Sequence, residues 1–201
     1  MVSYFLLGVT FAFAAAVQPG PLQAYLVAQT LANGWRRTIL ASFAPLLSDA
    51  PIIALVLLVL SQVPPAFARV LQLVGGAFLI YLAVEAFKTY RNYDTEKVLQ
   101  PQPGQKTLFK AVFVNLLNPN PYLGWSLVMG PLLLKGWQEA PVYGCVLLAS
   151  FYATLVLSLF GTIMLISLAR NMGAKVNRLL IGGSAIALAG FGLYQLWSGV
   201  T

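Results

Sequence analysis

Asp49 lies twelve residues beyond Arg37 in an otherwise uncharged apolar stretch, between Pro45 and Pro51. At about 1.5 Å per residue this places it about 18 Å along a helix, with no basic residue at comparable depth. A lone carboxylate so placed could exchange a proton or receive the ammonium group of a solute. The other reading is a permanently protonated acid bonded to a neighbouring helix. Two further constellations could do chemistry: Gln18-Pro19-Gly20-Pro21 and Asn118-Pro119-Asn120-Pro121. Paired prolines remove backbone donors and crowd the preceding turn, so a helix must break there. Proline also suits the first position of a new helical segment, whose unpaired amides and partial positive charge favour anions. Segments starting near Pro21 and Pro121 could thus hold a carboxylate, with Gln18, Gln23, Asn115, Asn118 and Asn120 offering hydrogen bonds to a polar solute. The alternative for these amides is bonding between helices. Tyr25, Tyr122, Trp125 and Tyr152 could line a path, although aromatic residues in such segments more often pack or anchor.

Other chemistries are excluded by composition. The chain has no histidine, and Cys145 is its single cysteine. Histidine-based triads, thiolate zinc sites and internal disulfides are therefore out of reach, and no metal and no cofactor are expected. Asp49 is the sole deep acid, so no carboxylate pair is available for acid–base work, and the chain is not expected to be an enzyme.

The elements that must position these groups are membrane helices. Of 201 residues, 59% are hydrophobic and 8% charged, against about 25% charged in soluble domains. The exterior must face lipid. Stretches free or nearly free of charge run over 1–35, 38–62, 67–87, 111–134, 140–169 and 179–201, which predicts six spans. Residues Phe5–Val17 with Ala14-Ala15-Ala16 have the form of a signal-peptide core, yet no basic residue precedes them and the apolar chain runs on to Asn33. A retained first span is expected.

With six spans, ten of the twelve basic residues fall on one side of the membrane, and only Arg69 and Lys135 on the other. The positive-inside rule makes the 88–110 loop cytoplasmic and puts both termini outside. Net charge is +7, but the basic residues are scattered between apolar runs, so nucleic acid is not an expected partner. Glu85, one turn from Lys88, is expected to form an interfacial ion pair there.

The halves echo each other. The two proline clusters, Gly34-Trp35 with Gly136-Trp137, and Leu73-Val74-Gly75-Gly76 with Leu180-Ile181-Gly182-Gly183 recur in the same order. This predicts a duplicated three-helix unit: 1–87, the 88–110 connecting loop, and 111–201. An odd number of spans per unit inverts the second copy, so the expected fold is an all-α membrane protein of six helices in a 3+3 inverted repeat, with spans one and four broken by prolines. The paired glycines are expected to let spans three and six approach their neighbours closely.

At these residues the sequence resembles the LysE/RhtB-type family of bacterial amino-acid exporters. The resemblance is carried by Pro19-Gly20-Pro21, Gly34 followed by basic residues, Asp49, Gly76-Ala77-Phe78-Leu79 through Tyr81-Leu82, and Asn115-Leu116-Leu117-Asn118-Pro119. It implies an inner-membrane exporter that moves amino acids or related small solutes outward in exchange for protons. On that reading the substrate contacts are Gln18, Pro19, Gly20, Pro21, Asn115, Asn118, Pro119, Asn120 and Pro121, Asp49 couples the proton, and a homodimer is open. Two departures stand out: the family commonly has a lysine after the span-four Asn-Pro, where this chain has Asn120 and Pro121, and Phe43-Ala44-Pro45 replaces the glycine spacing usual in span two. The competing functional classes are a passive channel and a non-transporting assembly subunit.

Overall fold

The computed structural model describes residues 1–58, 65–92, 103–170 and 172–200. Gln100, Pro101 and Gln102 of the expected connecting loop lie outside the described residues. Every regular element among those described is helical. Helices α1 (Val2–Val17) and α2 (Pro21–Asn33) are followed by a short α3 (Trp35–Thr38), a 3-10 turn over Ile39–Phe43 and α4 (Ala44–Leu58). Then come α5 (Pro65–Arg91), α6 (Gly104–Leu116), α7 (Pro119–Gly124), a π turn over Trp125–Met129, α8 (Gly130–Glu139), α9 (Pro141–Arg170) and α10 (Ala174–Val200).

Four helical stretches are long and apolar enough to cross a bilayer: 35–57, 65–91, 141–169 and 174–200. The pair α1 and α2, bent by 63°, makes a fifth if it is a single span. The stretch 111–134, expected as one span broken by prolines, is divided among α6, α7, the π turn and α8. The reason is local: prolines at 119, 121 and 131 each lack a donor and crowd the preceding turn. At Pro131 the chain widens its turn, so that the Gly130 N–H reaches back five residues to the Trp125 carbonyl.

The molecule has its polarity inside out. Leu157, Leu165, Ile186, Leu193 and Trp197 are exposed, while Ser48, Asp49, Thr107, Asn115, Asn118 and Gln195 are buried. An apolar exterior with a polar interior is stable in lipid, where interhelical hydrogen bonds hold helices together and small side chains let them approach. Gly8, Ala12 and Ala16 form such a face on α1, packed along α9. A Cβ on Gly8 would collide with the Leu147 carbonyl and the Ser150 hydroxyl.

Helices α5 and α10 pack along each other through Gly76 and Gly192. A Cβ on Gly76 would come within 2.8 Å of the Gly192 carbonyl, and one on Gly192 within 3.0 Å of the Gly76 carbonyl. The glycine pairs expected to mediate close approach thus divide: Gly75 and Gly76 are at close contacts, Gly182 packs on the Tyr90 ring, and nothing lies within 4 Å of a Cβ on Gly183. Likewise Gly34 and Gly136, matched in sequence, differ in backbone. Gly34 caps α2 at φ 83°, which favours glycine, whereas Gly136 lies inside α8 against Tyr4.

Candidate functional site

The first interruption follows from its residues. Helix α1 stops at Val17, because Pro19 lacks an amide and Gly20 is extended; Pro21 then occupies the first position of α2. Ending α1 frees its last carbonyls. Gln23, one turn into α2, turns back and donates its Nε2 to Ala15 and Ala16, each at 3.2 Å.

The second interruption has the same logic in different groups. Helix α6 ends at Leu116, and the Tyr122 hydroxyl donates to the freed Leu116 carbonyl at 3.0 Å. Asn118 caps the next helix, its side-chain oxygen accepting from the Asn120 amide at 3.1 Å. This helix starts at Pro119, two residues before the expected Pro121, because Asn118 supplies the cap and both prolines fit a first turn, where no donor is required. One expectation is corrected as a result. Pro119 and Pro121 have no amide and that of Asn120 is taken, so the first turn of α7 offers a carboxylate no free backbone amide. The first turn of α2 has no side-chain cap, and its Leu22 and Gln23 lie beside the same cavity.

Both interruptions border one cavity of about 290 Å³, close to the lower end of the range of small-molecule sites, about 300 Å³. Its wall includes Gln18, Pro19, Gly20, Asn115, Asn118, Asn120 and Pro121, together with Asp49. Pro21 and Pro119 are buried behind it as helix-starting residues and do not line it. Among the described residues Asp49 is the one charged group on the wall; the remainder is amide and apolar surface, including Phe11, Leu22, Met129, Phe151 and Leu155.

Four elements converge on Asp49, which is 4% exposed. From α6, Asn115 Nδ2 donates to Oδ1 at 2.9 Å and also to the Ser48 hydroxyl at 2.7 Å. The Ser48 hydroxyl of α4 lies 3.5 Å from Oδ1. On the other oxygen, the Trp125 indole of the π turn and the Tyr152 hydroxyl of α9 each donate at 3.4 Å. The widened turn carries Trp125 into this position, a common use of π turns at sites. Trp125, Phe151 and Tyr152 form an aromatic wall: Trp125 meets Phe151 edge to face at 5.6 Å and stacks on Tyr152 at 6.4 Å. Chemically, the arrangement offers one carboxylate without a counter-ion, held by neutral donors beside aromatic faces.

Of the four aromatic residues named from sequence, Trp125 and Tyr152 reach Asp49. Tyr25 is fully buried, donating to the Thr107 carbonyl, and Tyr122 closes the α6 end. Sequence reasoning missed Ser48, whose only signal was adjacency to Asp49, and Phe151, adjacent to Tyr152. Glu85 pairs with Lys110 of α6 rather than with Lys88, and its other oxygen accepts from Tyr81 at 2.8 Å. The partner lies 25 residues away because α6 returns alongside α5. A second cavity of about 330 Å³ adjoins this pair and includes Gln29, Asn33 and Thr89.

Comparison with known proteins adds the following. The family profile described as LysE type translocator matches residues 13–199. The chain is also 24% identical over 193 residues to a protein of Haemophilus influenzae described as an uncharacterized membrane protein, covering 90% of each. No solved structure matches.

Proposed function

Because the chain belongs to the LysE type translocator family, a family of membrane transporters, we propose that it exports amino acids or related small solutes across the cytoplasmic membrane by proton antiport. The solute site is the cavity between the two interruptions. The observation that carries this reading is the meeting, on one small cavity wall, of Gln18-Pro19-Gly20, Asn118, Asn120 and Pro121 with the single interior carboxylate, Asp49. Non-helical backbone at membrane depth is tolerated where it lines protein or a wet cavity, and transporters place their sites there.

The architecture that serves this function is six spans in a 3+3 inverted repeat, with α1 and α2 as the broken first span and α6 to α8 as the broken fourth. Helix pairing supports it. The first half of span one packs on span five (α1 on α9), and the first half of span four packs on span two (α6 on α4); the third spans of the two units, α5 and α10, pair with each other. That exchange is what a twofold axis in the membrane plane produces, and rocking one unit against the other would alternate access. Both termini lie outside, with ten basic residues on the cytoplasmic side. The first turn of α2 receives the solute's carboxylate, Asn115 and Asn120 hydrogen-bond its polar atoms, and Asp49 couples the proton.

The test is purified protein in liposomes with an imposed pH gradient and a panel of labelled amino acids, dipeptides and polyamines. Gradient-driven, saturable counterflow of at least one amino acid, lost in the Pro19→Ala/Pro21→Ala double variant, is the expected result. Conductance without saturation, or an active double variant, refutes the assignment.

A further inference from the structure

Among the described residues the cavity wall holds one formal negative charge and no positive one. None of its other residues, from α1, α2, α6, α7, the π turn or α9, is acidic or basic, and α8 and the 3-10 turn bring no charged side chain to it. The titratable groups that face Asp49 are two phenols, Tyr152 of α9 and Tyr122 of α7. Phenols stay neutral at physiological pH. Asp49 also retains capacity to bind. Of its three side-chain donors only Asn115 is close, at 2.9 Å; Trp125 and Tyr152 stand at 3.4 Å, and the Ser48 hydroxyl, 3.5 Å away, donates instead to the Ala44 carbonyl at 3.0 Å. A carboxylate has about four acceptor positions, and long contacts leave space for a shorter, charged donor.

We propose that Asp49 holds either a proton or the ammonium group of the solute, never both, so that one amine leaves for each proton that enters. This rests on the exporter reading above and specifies what that site recognises. Two positive charges in a cavity with one negative group would leave one of them without a counter-ion at low dielectric, which is strongly unfavourable. Protonated Asp49 therefore gives its proton to water as the ammonium group arrives, and takes one back as the amine departs. No other bond changes.

The amine is then the group the cavity requires. A solute carboxylate finds no basic side chain among the described residues of the wall and no free backbone amide in the first turn of α7, where Pro119 and Pro121 lack amides and Asn118 holds the third. Its remaining partners are neutral side-chain amides such as Asn120 and the first turn of α2, a partial charge only. Masking the carboxylate should therefore cost little and masking the amine nearly everything.

The experiment uses the full chain in liposomes with leucine, leucinamide and N-acetylleucine as probes, chosen to suit the apolar part of the wall. At about pH 6.5 the free amines are protonated. Leucinamide binding in weakly buffered medium should release up to one proton per site. Its apparent affinity should fall by up to tenfold per pH unit as the medium is acidified. Leucinamide should be exchanged at least as well as leucine, and N-acetylleucine should not be exchanged. In Asp49→Asn, checked for folding by gel filtration, proton release should vanish and affinity drop at least about tenfold. Leucinamide binding without proton release between about pH 5 and 8 would overturn the proposal, as would exchange of N-acetylleucine at the leucinamide rate. Leucine counterflow with pH-independent affinity would remove this proposal and leave the exporter reading standing. Absence of flux for every probe and every panel solute would remove both.

Discussion

A matched pair of alanine substitutions tests the packing that brings the two halves together. At Gly76 of α5 an added Cβ would lie 2.8 Å from the Gly192 carbonyl and 2.9 Å from the Leu196 amide nitrogen, both backbone atoms of α10. Ordinary contact begins at 3.4 Å, so the helices must separate by about half an ångström or more along this seam. Such overpacking costs about 1–3 kcal/mol. Against this stands the helix propensity of alanine over glycine, about 1 kcal/mol. Gly76→Ala should therefore destabilise by about 0–2 kcal/mol. Gly183→Ala meets nothing within 4 Å and should gain the propensity term alone. The two variants should thus differ by about 1–3 kcal/mol, roughly one to two orders of magnitude in the unfolding equilibrium. Denaturation with sodium dodecyl sulfate in mixed micelles, followed by loss of helical circular dichroism, reads the difference directly. If both alanines shift the midpoint equally and in the same direction, the seam is not where the structure puts it.

Three further outcomes follow from single contacts. Gln23→Leu strips the donor from the Ala15 and Ala16 carbonyls and should lower stability by about 0.5–1.5 kcal/mol; an unchanged denaturation midpoint would mean that the end of α1 is satisfied by other groups. Lys110→Met leaves Glu85 with Tyr81 alone and should cost about 1 kcal/mol at this half-exposed site, with partial recovery in the Glu85→Lys/Lys110→Glu exchange; no recovery would show that the pair does not act as a pair. Asn115→Leu removes the close donor to Asp49 and Tyr152→Phe only a long one. Liposome counterflow should therefore fall further in the first than in the second, and the reverse order would contradict the geometry around the carboxylate.

Much of the candidate site is legible in the amino-acid sequence because each signal is local. Two prolines around one residue cannot be absorbed as the lone Pro51 is within α4, so Pro19 with Pro21 and Pro119 with Pro121 announce helix ends from sequence alone. Asp49 is conspicuous because its stretch holds no other charge. What these residues do for one another is not legible there. Gln23 and Asn118 have the character of solute ligands, yet one closes the end of α1 and the other caps α7, since an interruption must satisfy its own freed backbone groups before a solute is served. Glu85 illustrates the same limit: a helical neighbour, Lys88, is the local partner, and the actual one arrives on a different helix.

The sequence by itself determined that the chain is a membrane protein, that helices end at Pro19–Pro21 and Pro119–Pro121, and that Asp49 is buried, because these follow from side-chain chemistry and from the fixed dihedral and missing donor of proline. Tertiary structure alone decided that both interruptions border the same cavity and that Asn115, Trp125 and Tyr152 converge on Asp49. It also decided that Gly76 meets Gly192 rather than Gly183. Those pairings join residues as many as 116 positions apart. They depend on which helix faces approach closely enough to touch, and no local residue pattern specifies that distance.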